Sequence, residues 1–173
     1  MHALKTMTAA DKPALYAELG RQLQALFENE PDAIANAANM ASLLFHSLPG
    51  LNWAGFYLVK SGELVLGPFQ GKPACLRIAV GKGVCGTAVE RRQPVRVDDV
   101  HAFPGHIACD ADSASELVIP IMNGSAHVLG VLDLDSPLKA RFDADDEAGC
   151  GRLVEIFLAH QRRYPGSLTK LVG

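Results

Sequence analysis

Asn52-Trp53-Ala54-Gly55-Phe56-Tyr57-Leu58-Val59-Lys60-Ser61-Gly62-Glu63-Leu64-Val65-Leu66 is the stretch on which the fold turns. The aromatic and β-branched run Trp53 to Val59 predicts a strand. Ser61-Gly62 predicts a tight turn, and Glu63 to Leu66 the returning strand of an antiparallel hairpin. Before Asn52 the periodicity is helical. Leu15, Leu19, Leu23 and Leu26 recur at spacings of four, four and three, giving an amphipathic helix over Ala14 to Phe27. A second helix opens at Pro31-Asp32, with Pro31 suited to a first helical position. It carries Ile34, Ala38, Ala41, Leu44, Phe45 and Leu48 on one broad face, and Pro49-Gly50 stops it.

Downstream, Gly67 to Gly71 reads as a loop and Cys75 to Val80 as a strand. Gly81-Lys82-Gly83 is a turn into a short helix from Val84 to Arg92, whose Arg91-Arg92 pair reads as a solvated end. Pro94 to Val97 is a short strand, and Asp98 to Ser115 a long loop of the kind that usually carries function. Two further strands, Glu116 to Met122 and Val128 to Asp135, flank a polar turn at Asn123-Gly124-Ser125. Asp143 opens a closing helix with acids in its first turn and Leu153, Ile156 and Phe157 on its buried stripe. The expectation is one α+β domain over residues 1–173. It has two helices at about 11–49, sheet and loops at about 52–137, and a last helix at about 143–163.

Composition narrows the classes. With 173 residues, 49% hydrophobic and 20% charged, the chain can bury a full core. A net charge of −3 without a basic cluster weighs against nucleic acid and anionic membranes as partners. No apolar run approaches the roughly 18 residues of a membrane span, and Met1 to Met7 lacks the apolar core of a signal peptide. A cytoplasmic protein with mostly reduced cysteines is expected.

Three cysteines, Cys75, Cys85 and Cys109, crowd the middle of the chain. Their separations of ten and twenty-four residues contain no short C-x2-C pair, although His101 and His106 could join Cys109 around zinc. Gly81-Lys82-Gly83-Val84-Cys85-Gly86 lacks the spacing of a phosphate cradle. Acyl transfer would need a histidine held against a cysteine. Thiol redox chemistry, which needs cysteines able to meet in a polar and accessible loop, fits the pattern better. Cys150, between Gly149 and Gly151, reads as a buried packing residue.

Asp133 and Asp135 lie two apart in a strand and share a face, where they read equally as solvated edge residues or as a site. Glu116 heads an apolar run and is equally ambiguous. With Asp98-Asp99 these acids bracket the Cys109 loop. A cleft holding thiols, acids and the aromatics Trp53 and Tyr57 would suit a small cationic or zwitterionic ligand.

The segments Asn52 to Tyr57, Leu66 to Gly71, Gly83 to Gly86, His106 to Asp110, Glu116 to Pro120 and Leu132 to Pro137 resemble the free methionine-(R)-sulfoxide reductases. These are single GAF-domain proteins, and the likeness runs from about Asp11 to Phe157. It implies a GAF fold, a six-stranded antiparallel sheet with helices on its faces, and frequently a homodimer. By the same resemblance Cys109 is the nucleophile, Cys75 the principal resolving cysteine and Cys85 an auxiliary thiol. Asp98, Glu116, Asp133 and Asp135 would hold the substrate's amino group and sulfoxide, and Trp53 and Tyr57 its methyl-sulfur end. The implied reaction leaves Cys109 as a sulfenic acid that condenses to a disulfide, with Glu116 or Asp135 as proton donor and thioredoxin as reductant. No metal, flavin or nicotinamide is required. The alternative is a GAF-type sensor of a small molecule or of oxidation without turnover, since the fold hosts both roles; a chain this short, without an output domain, favours the enzyme.

Overall fold

The computed structural model describes residues 11–105, 111–124 and 127–172. Two helices, α1 (Lys12–Phe27) and α2 (Ala33–Ser47), precede the hairpin β1 (Trp53–Lys60) and β2 (Glu63–Gly71). Then come β3 (Arg77–Ala79), α3 (Gly83–Arg91), β4 (Val95–Val97), β5 (Ser115–Asn123) and β6 (His127–Ser136). The helices α4 (Ala144–Gln161) and α5 (Thr169–Val172) close the described chain. The six strands form one sheet in the order β3-β2-β1-β6-β5-β4, and every pairing is antiparallel.

Side-chain alternation divides the sheet into two cores. Ala54, Phe56, Leu58, Leu117, Ile119, Ile121, Leu132 and Leu134 face the layer made by α1, α2 and α4. Their neighbours Trp53, Tyr57, Val118 and Val131 face the opposite way, onto Val84, Cys85 and Ala88 of α3. β5 and β6 are therefore covered on both faces, which accounts for their nearly uninterrupted apolar character.

Aspartates start three helices. Asp11 accepts from Ala14 N at 3.2 Å, and Asp32 from Ile34 N and Ala35 N at 2.9 and 3.0 Å. Asp143 and Asp146 form a reciprocal capping box on α4. Asp32 is thus the cap of α2 and Pro31 lies before it, two residues ahead of the first helical position expected for it from sequence.

Two further expectations are revised. β2 continues through Gly67-Pro68 to Gly71, because the β1–β2 register shifts between Gly55 and Tyr57 and the extra residue on β2 forms a bulge that can hold a proline. Conversely, β3 begins only at Arg77, leaving Cys75 in the connecting loop. A 3-10 turn at Val100–Ala102 interrupts the long loop after β4. Among the described residues no helix is long and apolar enough to cross a membrane.

Candidate active site

The acids assemble because of strand register. Glu116 on β5 stands opposite Asp135 on β6, and Asp133 stands between Val118 of β5 and Gly55 of β1. All three carboxylates project toward α3. β6 is a central strand, so the solvated-edge reading fails for Asp133, which is 5% exposed. Glu116 is equally buried at 6%, while Asp135 is half-buried. The acid row therefore runs from the interior outward.

Cys85 completes the cluster from above. Its Sγ lies 3.8 Å from Glu116 Oε1, and one donor atom each from Cys85, Glu116 and Asp133 lies within 4.8 Å of the other two. Burial sets the protonation states. It raises Glu116 well above the usual carboxylate range, reinforced by the charges of Asp133 and Asp135. It also pushes Asp133 up to about 7, against the opposing pull of Cys85 and Glu116. The Cys85 thiol is raised well above its ordinary value by burial and then by Asp133 and Glu116. Such a thiol is seldom a thiolate, so Cys85 is a weak nucleophile in this arrangement.

An aromatic stack borders the acids. Trp53 stacks on Tyr57 at 5.9 Å and on Phe69 at 5.3 Å between centroids. A Cβ at Gly55 would sit 2.7 Å from the Trp53 ring and 2.4 Å from Phe69 Cβ, so the stack requires glycine there. The polar ends of both large rings face one loop. Trp53 Nε1 donates to Lys72 O at 3.2 Å, and Tyr57 OH donates to Cys75 O at 2.9 Å. Cys75 is half-buried and disulfide-bonded, whereas Cys85 and Cys150 are free. Two contacts tie this region to the segment after residue 110: Lys72 pairs with Asp112, and Asn52 Nδ2 donates to Ser113 Oγ at 3.1 Å. Phe69, Lys72 and Asp112 had no distinguishing signal in the sequence apart from the glycines around Phe69.

The remaining expected residues lie outside this cluster. Asp98 is exposed just beyond β4, and its backbone carbonyl accepts from Ala140 N at 2.9 Å. Asp99 pairs with Lys139 at 2.6 Å and caps the 3-10 turn, so its carboxyl sits below the usual range through the Lys139 contact. His101 is exposed on that turn. Cys109 and His106 lie outside the described residues. Cys150 is fully buried with Sγ 3.6 Å from the Tyr16 hydroxyl, as a packing residue should be.

The chain is similar to known proteins in both sequence and fold. The GAF domain family model matches residues 1–154. Protein YtsP of Bacillus subtilis is 57% identical over 80% of this chain and 86% of its own length. The free methionine-R-sulfoxide reductase of Escherichia coli is 52% identical over 83% of this chain and 87% of that protein. The crystal structure of free methionine-R-sulfoxide reductase from Neisseria meningitidis, in complex with its substrate, superposes with a TM-score of 0.87. It is 44% identical and covers 98% of this chain and 99% of that one. By the family model, the identity and the superposition alike, this chain is a member of the free methionine-R-sulfoxide reductase family of GAF-domain proteins.

Proposed function

We propose that the chain reduces free L-methionine (R)-S-oxide to L-methionine. The observation that carries this reading is the row Glu116, Asp133 and Asp135 on one face of the sheet, beside the stacked Trp53 and Tyr57. Carboxylates select an α-ammonium, which a peptide-bound methionine sulfoxide lacks, and the rings receive the methyl-sulfur end. The Neisseria relative, a free methionine-R-sulfoxide reductase 44% identical to this chain, supports the same activity.

In the proposed reaction the Cys109 thiolate attacks the sulfoxide sulfur. Glu116, held protonated by burial, protonates the sulfoxide oxygen, which passes to the Cys109 sulfur as the transient sulfur–sulfur bond and the methionine S–O bond break. Methionine and a sulfenic acid on Cys109 result. The Cys75 thiol condenses with that sulfenic acid, forming a disulfide and water. The described cysteines support this division of labour: Cys75 is disulfide-bonded while Cys85 and Cys150 are free. A dithiol of the thioredoxin type, in a reducing compartment such as the cytoplasm, restores both thiols by exchange. Cys85 serves by holding Glu116 from above. Asp98 joins the substrate from the rim of the site, and the working unit is a homodimer.

The test incubates purified protein with each free sulfoxide epimer, and with peptide-bound substrate, in a thioredoxin system. Loss of the free R epimer alone is expected; equal reduction of the peptide rejects the reading. Cys109→Ser should abolish turnover. Cys75→Ser should release one methionine per chain and then stall. Ligand binding without product would favour the sensor.

A further inference from the structure

Cys85, Glu116 and Asp133 together form a mixed sulfur and oxygen donor set, a capacity separate from the roles proposed for them in the reduction. Cys85 Sγ and Glu116 Oε1 are 3.8 Å apart, and both lie within 4.8 Å of an Asp133 oxygen. A tetrahedral zinc ion, with bonds of about 2.3 Å to sulfur and 2.0 Å to oxygen, would hold such atoms roughly 3.5 Å apart. The observed contact is within a few tenths of that separation. The residues are 3%, 6% and 5% exposed, and Asp133 Oδ1 is buried without a hydrogen-bond partner among the described residues. A buried, unpartnered carboxylate oxygen is costly and is the kind of group a cation satisfies. The half-buried Asp135, next on the same face of β6, marks the side from which an ion would enter.

We infer that the reduced protein binds one thiophilic divalent cation of the zinc and cadmium class through Cys85, Glu116 and Asp133. The choice of ion follows from the donors. Magnesium and calcium take about six or more oxygen ligands and no thiolate, whereas one sulfur and two oxygens in a compact trio suit a four-coordinate ion with an open fourth position. The site carries up to three negative charges when deprotonated, which a dication offsets. Since Glu116 is assigned to the sulfoxide oxygen and Asp133 to the ammonium, metal and methionine sulfoxide should exclude one another; this clause rests on the proposed function, while metal binding itself does not.

Cadmium titration of the reduced Cys75→Ser/Cys109→Ser protein tests the site, because a cadmium–thiolate bond has its own ultraviolet charge-transfer band. One equivalent should develop the band. Adding Cys150→Ser should leave it, and adding Cys85→Ser should remove it. Glu116→Gln and Asp133→Asn, which keep the thiol and the side-chain shape, should each weaken cadmium roughly tenfold or more. No band, or a band that survives Cys85→Ser, overturns the inference whether or not the wild type reduces sulfoxide. If Cys85→Ser fails to fold, undiminished affinity in both acid variants overturns it instead. Free methionine sulfoxide should raise the apparent dissociation constant of cadmium. A band indifferent to saturating sulfoxide overturns the shared site and the acids' substrate role, leaving the metal site standing.

Discussion

Asp133 occupies a position on β6 whose neighbours toward α3 are Val118 and Val131, and a valine there would fold at lower cost. The carboxylate's burden depends on pH. In the unfolded chain it titrates near 3.8, and in the fold burial pushes it up to about 7. Between those values the native state keeps a proton that the unfolded chain has released, so stability falls as pH rises through this window. Asp133→Asn removes the dependence. Its stability relative to wild type, read from the melting temperature, should improve from pH 5 to about pH 7 and then level off toward pH 8, by about 3 kcal/mol in all, while reductase activity falls. A constant offset across that range would reject the buried-acid account. Tyr57 allows a second separation of roles, because its hydroxyl holds Cys75 O at 2.9 Å while its ring walls the site. Tyr57→Phe should cost about 1 kcal/mol and, if Cys75 resolves as proposed, slow steady-state turnover several-fold by loosening the Cys75 loop. The first methionine released per chain, read in a rapid-quench burst, should be nearly unchanged. An equal fall in burst and steady state would place the hydroxyl's effect on the substrate instead.

The α1–α4 pair decides how firmly the larger core is clamped. Asp146, 1% exposed, receives Tyr16 OH at 2.9 Å, Lys12 Nζ at 2.6 Å and an Arg141 nitrogen at 3.1 Å, so its charge is fully answered. One turn along α4, the Tyr16 ring lies over Gly149, where a Cβ would come within 2.2 Å of Cγ of the ring. Gly149→Ala should therefore cost roughly 1–3 kcal/mol through overpacking. Gly151→Ala, with nothing within 4 Å, should instead gain up to about 1 kcal/mol from helix propensity. Chemical denaturation of the two variants compares them directly, and destabilisation of both would reject the packing argument. Elements of this size were legible in the sequence because their periodicity is strong: α1, α2, α4 and the four long strands appear where alternation and leucine spacing put them. What escaped was local. Gly67-Pro68 looks like a turn unless the bulge opposite Gly55 and Tyr57 is known, and α5 has only four residues, anchored by the fully buried Leu171. The acids were legible as a shared face but not as a buried one, since burial comes from α3 packing over them. Cys85, thirty-one residues from Glu116 in the chain, gave no sign of closing their floor.

At the scale of the molecule, the sheet separates a large helical core that supplies stability from a small core under α3 that holds the costly groups. Substrate should repay part of that cost. An α-ammonium favours ionised carboxylates, and Asp133 ionises only as pH passes about 7. Binding should therefore tighten as pH rises from 5 to 8, below the range in which the ligand's own ammonium deprotonates. Cys109→Ser isolates the effect because, on the proposed mechanism, it binds without turnover. At free sulfoxide a hundredfold above its dissociation constant, binding adds about 2.7 kcal/mol, which for a chain of this length raises the melting temperature by roughly 5–10 °C. At a fixed ligand concentration the rise should be largest near pH 8 and shrink toward pH 5, as the acids take up protons. N-acetylmethionine sulfoxide keeps the sulfoxide but lacks the ammonium, and it should give little shift at any pH. A rise that grows toward acid pH, or one that the acetylated compound reproduces, would remove Asp133 and its neighbours from the role of ammonium ligands and leave the aromatic stack as the source of affinity.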